Sequence, residues 1–90
     1  MYEWDEAKRK TNLRKHGLDF FVAHLVYESP NKVTYRLGEI PEQRFLDVAF
    51  VESEGAILAL VYTIGSEDVR LISFRRASRR ERRAYAAAKP

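Results

Sequence analysis

Val69-Arg70-Leu71-Ile72-Ser73-Phe74-Arg75-Arg76-Ala77-Ser78-Arg79-Arg80-Glu81-Arg82-Arg83 is the stretch that decides the fold. Its first part is rich in β-branched and large apolar residues and reads as a strand over 69–75. Strict alternation puts Val69, Leu71 and Ser73 on one face and Arg70, Ile72 and Phe74 on the other. Ser78 and Glu81 then make an S-x-x-E capping box, which starts a helix running through Ala84, Tyr85 and the alanines to about residue 88. Between residues 75 and 83 stand six arginines and one glutamate. Such a density of guanidinium groups at a strand–helix junction suits a phosphate polyanion, which the planar fork matches geometrically. The plainer alternative is a solvated basic helix that confers only solubility.

Upstream, three more extended runs precede this one, at 32–37, 44–52 and 56–63. The connections Gly38–Glu42, Ser53–Gly55 and Ile64–Asp68 are short enough for antiparallel neighbours, so the four runs predict a meander. Ala56–Tyr62 is almost continuously apolar and reads as a central strand covered on both faces. Ahead of the strands, Asp5 is an N-cap for a helix over 6–15 and Gly17 its left-handed stop. Leu13 is the only large apolar residue of that helix, so Trp4 is expected to anchor its start. Asp19 caps a second helix, in which Phe20, Ala23, Val26 and Tyr27 recur at helical spacing until Ser29-Pro30 ends it. The expected fold is α+β in one domain spanning 1–90: two N-terminal helices, a four-stranded antiparallel meander sheet and a C-terminal helix.

Composition narrows the chemistry. The chain has 90 residues, 46% hydrophobic and 32% charged, which fits one small globular domain. It has no cysteine, which removes disulfides, thiolate metal sites and cysteine nucleophiles and suits a reducing cytoplasm. No apolar run approaches a membrane span, and the opening Met-Tyr-Glu-Trp-Asp is no signal peptide. Charge is segregated. Residues 38–68 carry seven acids against one arginine, whereas residues 69–90 carry eight bases against one acid. The basic pole is the expected side for nucleic acid. No metal-ligand spacing, Gly-rich phosphate loop or serine-hydrolase elbow occurs, so neither a metal nor a cofactor is expected.

Three groups could carry chemistry. Lys8 and Lys15, seven apart, share a helix face, and His16 sits at that helix's C-terminus, where the dipole favours the protonated ring. His16 could equally cap the last carbonyls. Arg70, Arg75 and Arg76 stand on the last strand, where they could hold phosphate or simply pair with acids of nearby turns. Glu81, Arg82 and Tyr85 lie with Ser78 on one stripe of the last helix. They offer a base, a charge clamp and a proton donor. The competing roles are a capping Glu81, a solvated Arg82 and a Tyr85 packed on the sheet. His24 reads as a boundary histidine. Trp4, Phe20, Phe21 and Phe45 read as core residues.

Taken together, the ends of the chain resemble the BrnT family of bacterial toxins. The likeness rests on Trp4-Asp5-x-x-Lys8-x-x-x-Asn12-x-x-Lys15-His16-Gly17-x-x-Phe20-x-x-Ala23 and on Ile72-Ser73-Phe74-Arg75-Arg76-Ala77-Ser78-Arg79-Arg80-Glu81-Arg82 with Tyr85. Ser29-Pro30 and Arg44 also match. Gln43, Ala49 and Phe74 depart from the family pattern, which has an acidic residue, a glycine and a smaller residue there. The resemblance implies a RelE-like fold and a ribonuclease that halts translation, and the cleavage is expected to be endonucleolytic and metal-independent. For such cleavage the expected catalytic residues are His16, Arg75, Glu81, Arg82 and Tyr85, with Glu81 or His16 as base and Tyr85, His16 or a lysine as acid, and the expected RNA-binding residues are Lys8, Lys15, Arg44, Arg70, Arg76 and Arg79. The resemblance also implies neutralisation by a BrnA-like ribbon-helix-helix antitoxin in a heterotetramer, with operator DNA bound only through the antitoxin. The rival expectation is a non-catalytic basic module that binds RNA, DNA or the antitoxin.

Overall fold

A computed structural model of the chain describes residues 1–38 and 43–88. Its elements are β1 (Tyr2–Glu3), α1 (Glu6–His16), a 3₁₀ turn (Phe20–Val22), α2 (His24–Tyr27), β2 (Val33–Leu37), β3 (Arg44–Val51), a second 3₁₀ turn (Glu52–Glu54), β4 (Ala56–Ile64), β5 (Val69–Arg76) and α3 (Arg79–Ala88). The expected connection at Gly38–Glu42 lies mostly outside the described residues. Among those residues, no helix is long and apolar enough to cross a membrane.

The expected α+β architecture holds, with two corrections. The sheet has five strands and is mixed, in the order β1-β5-β4-β3-β2. The pairs from β2 to β5 are antiparallel, as the short connections require. The added strand is β1, whose Tyr2 and Glu3 run parallel to Val69 and Arg70. A two-residue strand has no periodicity to read. The second helix is also not continuous. Asp19 caps it as expected, accepting from the Phe21 N–H at 3.1 Å, but the cap opens a 3₁₀ turn, and only one α-helical turn follows. Aromatic and β-branched residues at 20–22 lose side-chain freedom in a helix, and Ser29-Pro30 leaves no room to extend it.

A third departure sits in β5. Tyr62 is opposite Leu71, and Val61 is opposite Ser73, so Ile72 is an extra residue and the strand is bulged there. The bulge breaks the alternation expected from sequence. Leu71 and Phe74 both enter the core on the α1 side of the sheet, with Leu18, Phe20, Val26, Leu58 and Leu60. Beyond the bulge, Arg75 falls opposite Ala59, which belongs to the other core with Leu46, Val48, Ala77 and Tyr85. Strict alternation would have grouped Arg75 with Leu71. The bulge turns it to the face that α3 covers.

Among the described residues, two charged or polar side chains are buried, and both are fully engaged. Asp47, in β3, accepts from Lys32 at 2.8 Å, Thr34 at 2.6 Å and Tyr62 at 3.0 Å, which fastens the edge strand β2 to the middle of the sheet. Asn12 is the single buried residue of α1. Its Nδ2 donates to the carbonyls of Phe74, at 2.7 Å, and Leu18, at 3.0 Å, while its Oδ1 accepts from the Phe74 N–H at 3.0 Å. The carboxamide thus completes the β5 edge where β1 has ended, in place of a neighbouring strand. A polar helix without an apolar stripe is attached through this side chain. Trp4 adds its ring against Phe20 and Phe21.

Replacing Asn12 by alanine would strand the Phe74 N–H and C=O at a buried edge. The unfolding free energy in urea is expected to fall by about 2–4 kcal/mol. A loss under about 0.5 kcal/mol would mean that α1 is held by something else.

Candidate active site

The strand–helix junction is a closed hydrogen-bonded corner. Ala77 N–H donates to the Ile57 carbonyl at 2.9 Å, carrying the chain off the end of β5. Ser78 then caps α3. Its Oγ accepts from the Glu81 N–H at 3.1 Å, and Glu81 returns a carboxylate oxygen to the Ser78 N–H at 2.8 Å. The same carboxylate receives both arms of Arg75, with Nη1 to Oε1 at 2.7 Å and Nη2 to Oε2 at 2.9 Å. The two roles open to Glu81 on sequence, cap and catalytic neighbour of arginine, are therefore compatible. Arg75 and the Ser78 N–H hold the Glu81 carboxyl at about 2, well below its ordinary 4.5, against the opposing effect of partial burial. An ionised carboxylate with both oxygens occupied is a weak proton acceptor but a firm clamp. Arg82, one residue on, donates through Nη1 to the Ala77 carbonyl at 2.8 Å.

A second group lies along α1. Lys8, Thr11, Asn12, Lys15 and His16 line a groove of about 330 Å³ whose other wall is Ile72 and Ser73 of β5. The helix periodicity that puts Lys8 and Lys15 on one face also puts them here. Gly17, at φ 71°, ends the helix in the left-handed region and donates to the Leu13 carbonyl, leaving His16 as the last helical residue. Asn12 joins the two groups physically. It fixes α1 to Phe74, and Phe74 is flanked by Ser73, which lines the groove, and Arg75. Ser73 and Arg75 are two residues apart on one strand, about 7 Å.

The remaining sequence candidates go elsewhere. Tyr85 is buried, 4% exposed, and its hydroxyl accepts from the Phe50 N–H of β3 at 3.2 Å. Arg70 pairs with Glu3 at 3.0 Å at the start of β5, five residues from Arg75. Arg44 is exposed at the start of β3, opposite Leu37. Arg76 shares a different groove with Arg82 and Phe50. Arg79 is exposed at the first position of α3. His24 is partly buried, with Nδ1 3.1 Å from the Phe21 carbonyl oxygen, and Phe21 is exposed rather than core. Among the described residues, no three His, Asp or Glu side chains converge as a metal site would require.

The family model described as "Ribonuclease toxin, BrnT, of type II toxin-antitoxin system" matches residues 4–81. This chain belongs to the BrnT family. The fold agrees with the 1.1 Å crystal structure of the Brucella abortus ribonuclease toxin BrnT, at 32% identity and a TM-score of 0.64, over 88% of this chain and 99% of that one. No curated protein sequence matches significantly. The BrnT match covers α1, the whole sheet from β2 to β5 and the Ser78–Glu81 cap. Arg82 and Tyr85 lie just past it.

Two residues of the corner and groove were invisible as such in the sequence. Asn12 belongs to the quoted BrnT-like motif, and its signal was being a polar residue on the inward face of a helix with no apolar stripe. The Ile72 bulge had no signal, because valine, leucine and isoleucine fit either register.

The depressed Glu81 carboxyl has a pH consequence. Its folded-state pKa lies below the unfolded one, so the stabilisation from the Arg75 pair is complete above about pH 4.5 and is lost as the pH falls toward 2. Compared with Glu81→Gln, the wild type should be more stable by about 1–3 kcal/mol at pH 6, and the difference should vanish near pH 2. A pH-independent difference in urea titrations would contradict the clamp.

Proposed function

We propose that this protein is a metal-independent endoribonuclease that cuts RNA through its own ribose and so halts translation. In that reaction the 2′ oxygen forms a bond to the adjacent phosphorus while the bond from phosphorus to the 5′ oxygen breaks. The proton leaves the 2′ hydroxyl for a base, and the departing 5′ oxygen takes a proton from an acid. The requirement for a 2′ hydroxyl confines the activity to RNA. The observation that carries the reading is the Arg75 guanidinium, aimed by two hydrogen bonds to Glu81 at the corner of a BrnT-family chain.

In this reading Arg75 and Arg82 stabilise the negative charge that grows on the phosphoryl oxygens. Glu81 holds Arg75 in place. His16 exchanges the proton, since imidazole is the side-chain class that does so near neutrality. Tyr85, buried against β3, seats α3 on the sheet and takes no part in proton transfer. Lys8 and Lys15 hold the RNA backbone in the groove, with Arg44, Arg70, Arg76 and Arg79 as outlying phosphate contacts, so binding weakens with salt. A BrnA-like ribbon-helix-helix antitoxin neutralises the enzyme in the cytoplasm, two toxins to an antitoxin dimer, and brings operator DNA to the complex.

Purified protein incubated with RNA in EDTA should yield 2′,3′-cyclic phosphate ends. Arg75→Ala should slow cleavage about 10²–10³-fold, and His16→Ala about 10²–10⁴-fold, with both variants folded by circular dichroism. Cleavage that needs a divalent ion, or that survives both substitutions at full rate, would refute the mechanism. RNA binding without any cleavage would favour a non-catalytic module.

A further inference from the structure

Phe50 is out of place for a sheet residue. Its neighbours on the same face of β3, Leu46 and Val48, are buried, yet 51% of Phe50 is open to solvent. The ring lines a groove of about 380 Å³ with the Gly55–Ile57 turn, Arg76, Ala77 and Arg82. No acidic residue is among these lining residues. The backbone beneath the ring is fixed on both sides. Phe50 pairs with Ile57 across β3 and β4, and its N–H donates to Tyr85 at 3.2 Å. Arg82 is steadied at the groove wall by its bond to the Ala77 carbonyl. At the mouth, Gly55 has φ 61°, and nothing lies within 4 Å of where a Cβ would stand.

A half-exposed aromatic ring in a groove that Arg82 lines and no carboxylate lines has the composition of a single-stranded nucleic-acid subsite. Every base has a π-face to stack on a ring, and the phosphate that follows it meets the cation. Arg82 belongs both to this groove and to the corner with Arg75 and Glu81, so the two places are continuous. We propose that Phe50 and Arg82 form a base-stacking subsite, in which one nucleobase flanking the scissile phosphate lies on the Phe50 ring and its phosphate meets Arg82. This rests on the ribonuclease reading and adds to it the means by which the strand is held on the far side of the corner from the α1 groove. A polypeptide segment is the competing occupant. The absence of lining carboxylates and the Arg82 guanidinium held at the groove wall favour the nucleotide.

The test measures binding of a short single-stranded RNA made uncleavable by 2′-O-methyl groups, for the wild type and for Phe50→Ala, Phe50→Leu and Phe50→Trp, by fluorescence anisotropy. Phe50→Ala should weaken binding about 5- to 100-fold, Phe50→Leu nearly as much, and Phe50→Trp should restore it. An abasic nucleotide at the stacked position should weaken the wild type equally and add nothing to Phe50→Ala. The ring is half-exposed and its hydrogen bond is made by the backbone, so the variants should fold, which thermal denaturation checks. Equal RNA affinity for wild type and Phe50→Ala overturns the subsite, as does a loss confined to binding of the antitoxin, which would make the groove a peptide site. Phe50-dependent binding with no cleavage of unmodified RNA would sink the ribonuclease reading and leave the subsite standing. Cleavage unaffected by Phe50 would do the reverse.

Discussion

Two parallel hydrogen bonds between Arg75 and Glu81 connect the end of the sheet to the start of its last helix. A guanidinium at the end of a strand would otherwise sample many rotamers in water. Here both of its arms are tied to a carboxylate that is itself held by the Ser78 N–H, and Ser78 is in turn held by the Glu81 N–H. Each member restricts the next. A charge-assisted fork of this kind is stronger than neutral hydrogen bonds and fixes direction as well as distance. Cap, ion pair and helix orientation therefore stand or fall together, and Tyr85, one turn further along α3, reaches the Phe50 N–H only if that orientation is kept.

The corner also depends on parity. Arg75 meets Glu81 because the bulge at Ile72 moves it to the α3 face, opposite Ala59. One residue fewer would turn it toward Leu71 and the apolar core under α1. The bulged strand then presents its outer edge at Phe74, and Asn12 closes that edge with a side chain in place of a strand. The helix that carries Lys8, Lys15 and His16 is thereby registered against the strand that carries Ser73 and Arg75. Two basic surfaces of different origin, one on a helix face and one at a strand–helix junction, are tied to the same strand, the first of them through a single buried amide.

Much of this was legible in the sequence, for physical reasons that can be named. Asp5, Gly17, Asp19 and the Ser78–Glu81 box act within one turn of themselves, so their partners are fixed by local spacing. The antiparallel order of β2 to β5 followed from connections too short for a crossover. The parts that could not be read are non-local. β1 exists only because Val69 and Arg70 offer an edge to pair with. The face occupied by Arg75 depends on a bulge among residues that fit either register. Of the candidate site, Lys8, Lys15 and His16 were expected together and are found in one groove. Arg75, Glu81 and Arg82 were expected near one another and share the corner. Arg70 and Tyr85 are drawn away by Glu3 and Phe50, partners that sequence spacing does not reveal.

The most direct measurement is a crystal structure of the wild type with an RNA oligonucleotide blocked by 2′-O-methyl at the cleaved position. The account predicts that the blocked phosphate lies within about 3 Å of the Arg75 guanidinium, with the Arg75–Glu81 pair intact and the strand continuing into the α1 groove. A phosphate seated away from Arg75, or an Arg75 that has left Glu81 to face solvent, would contradict it.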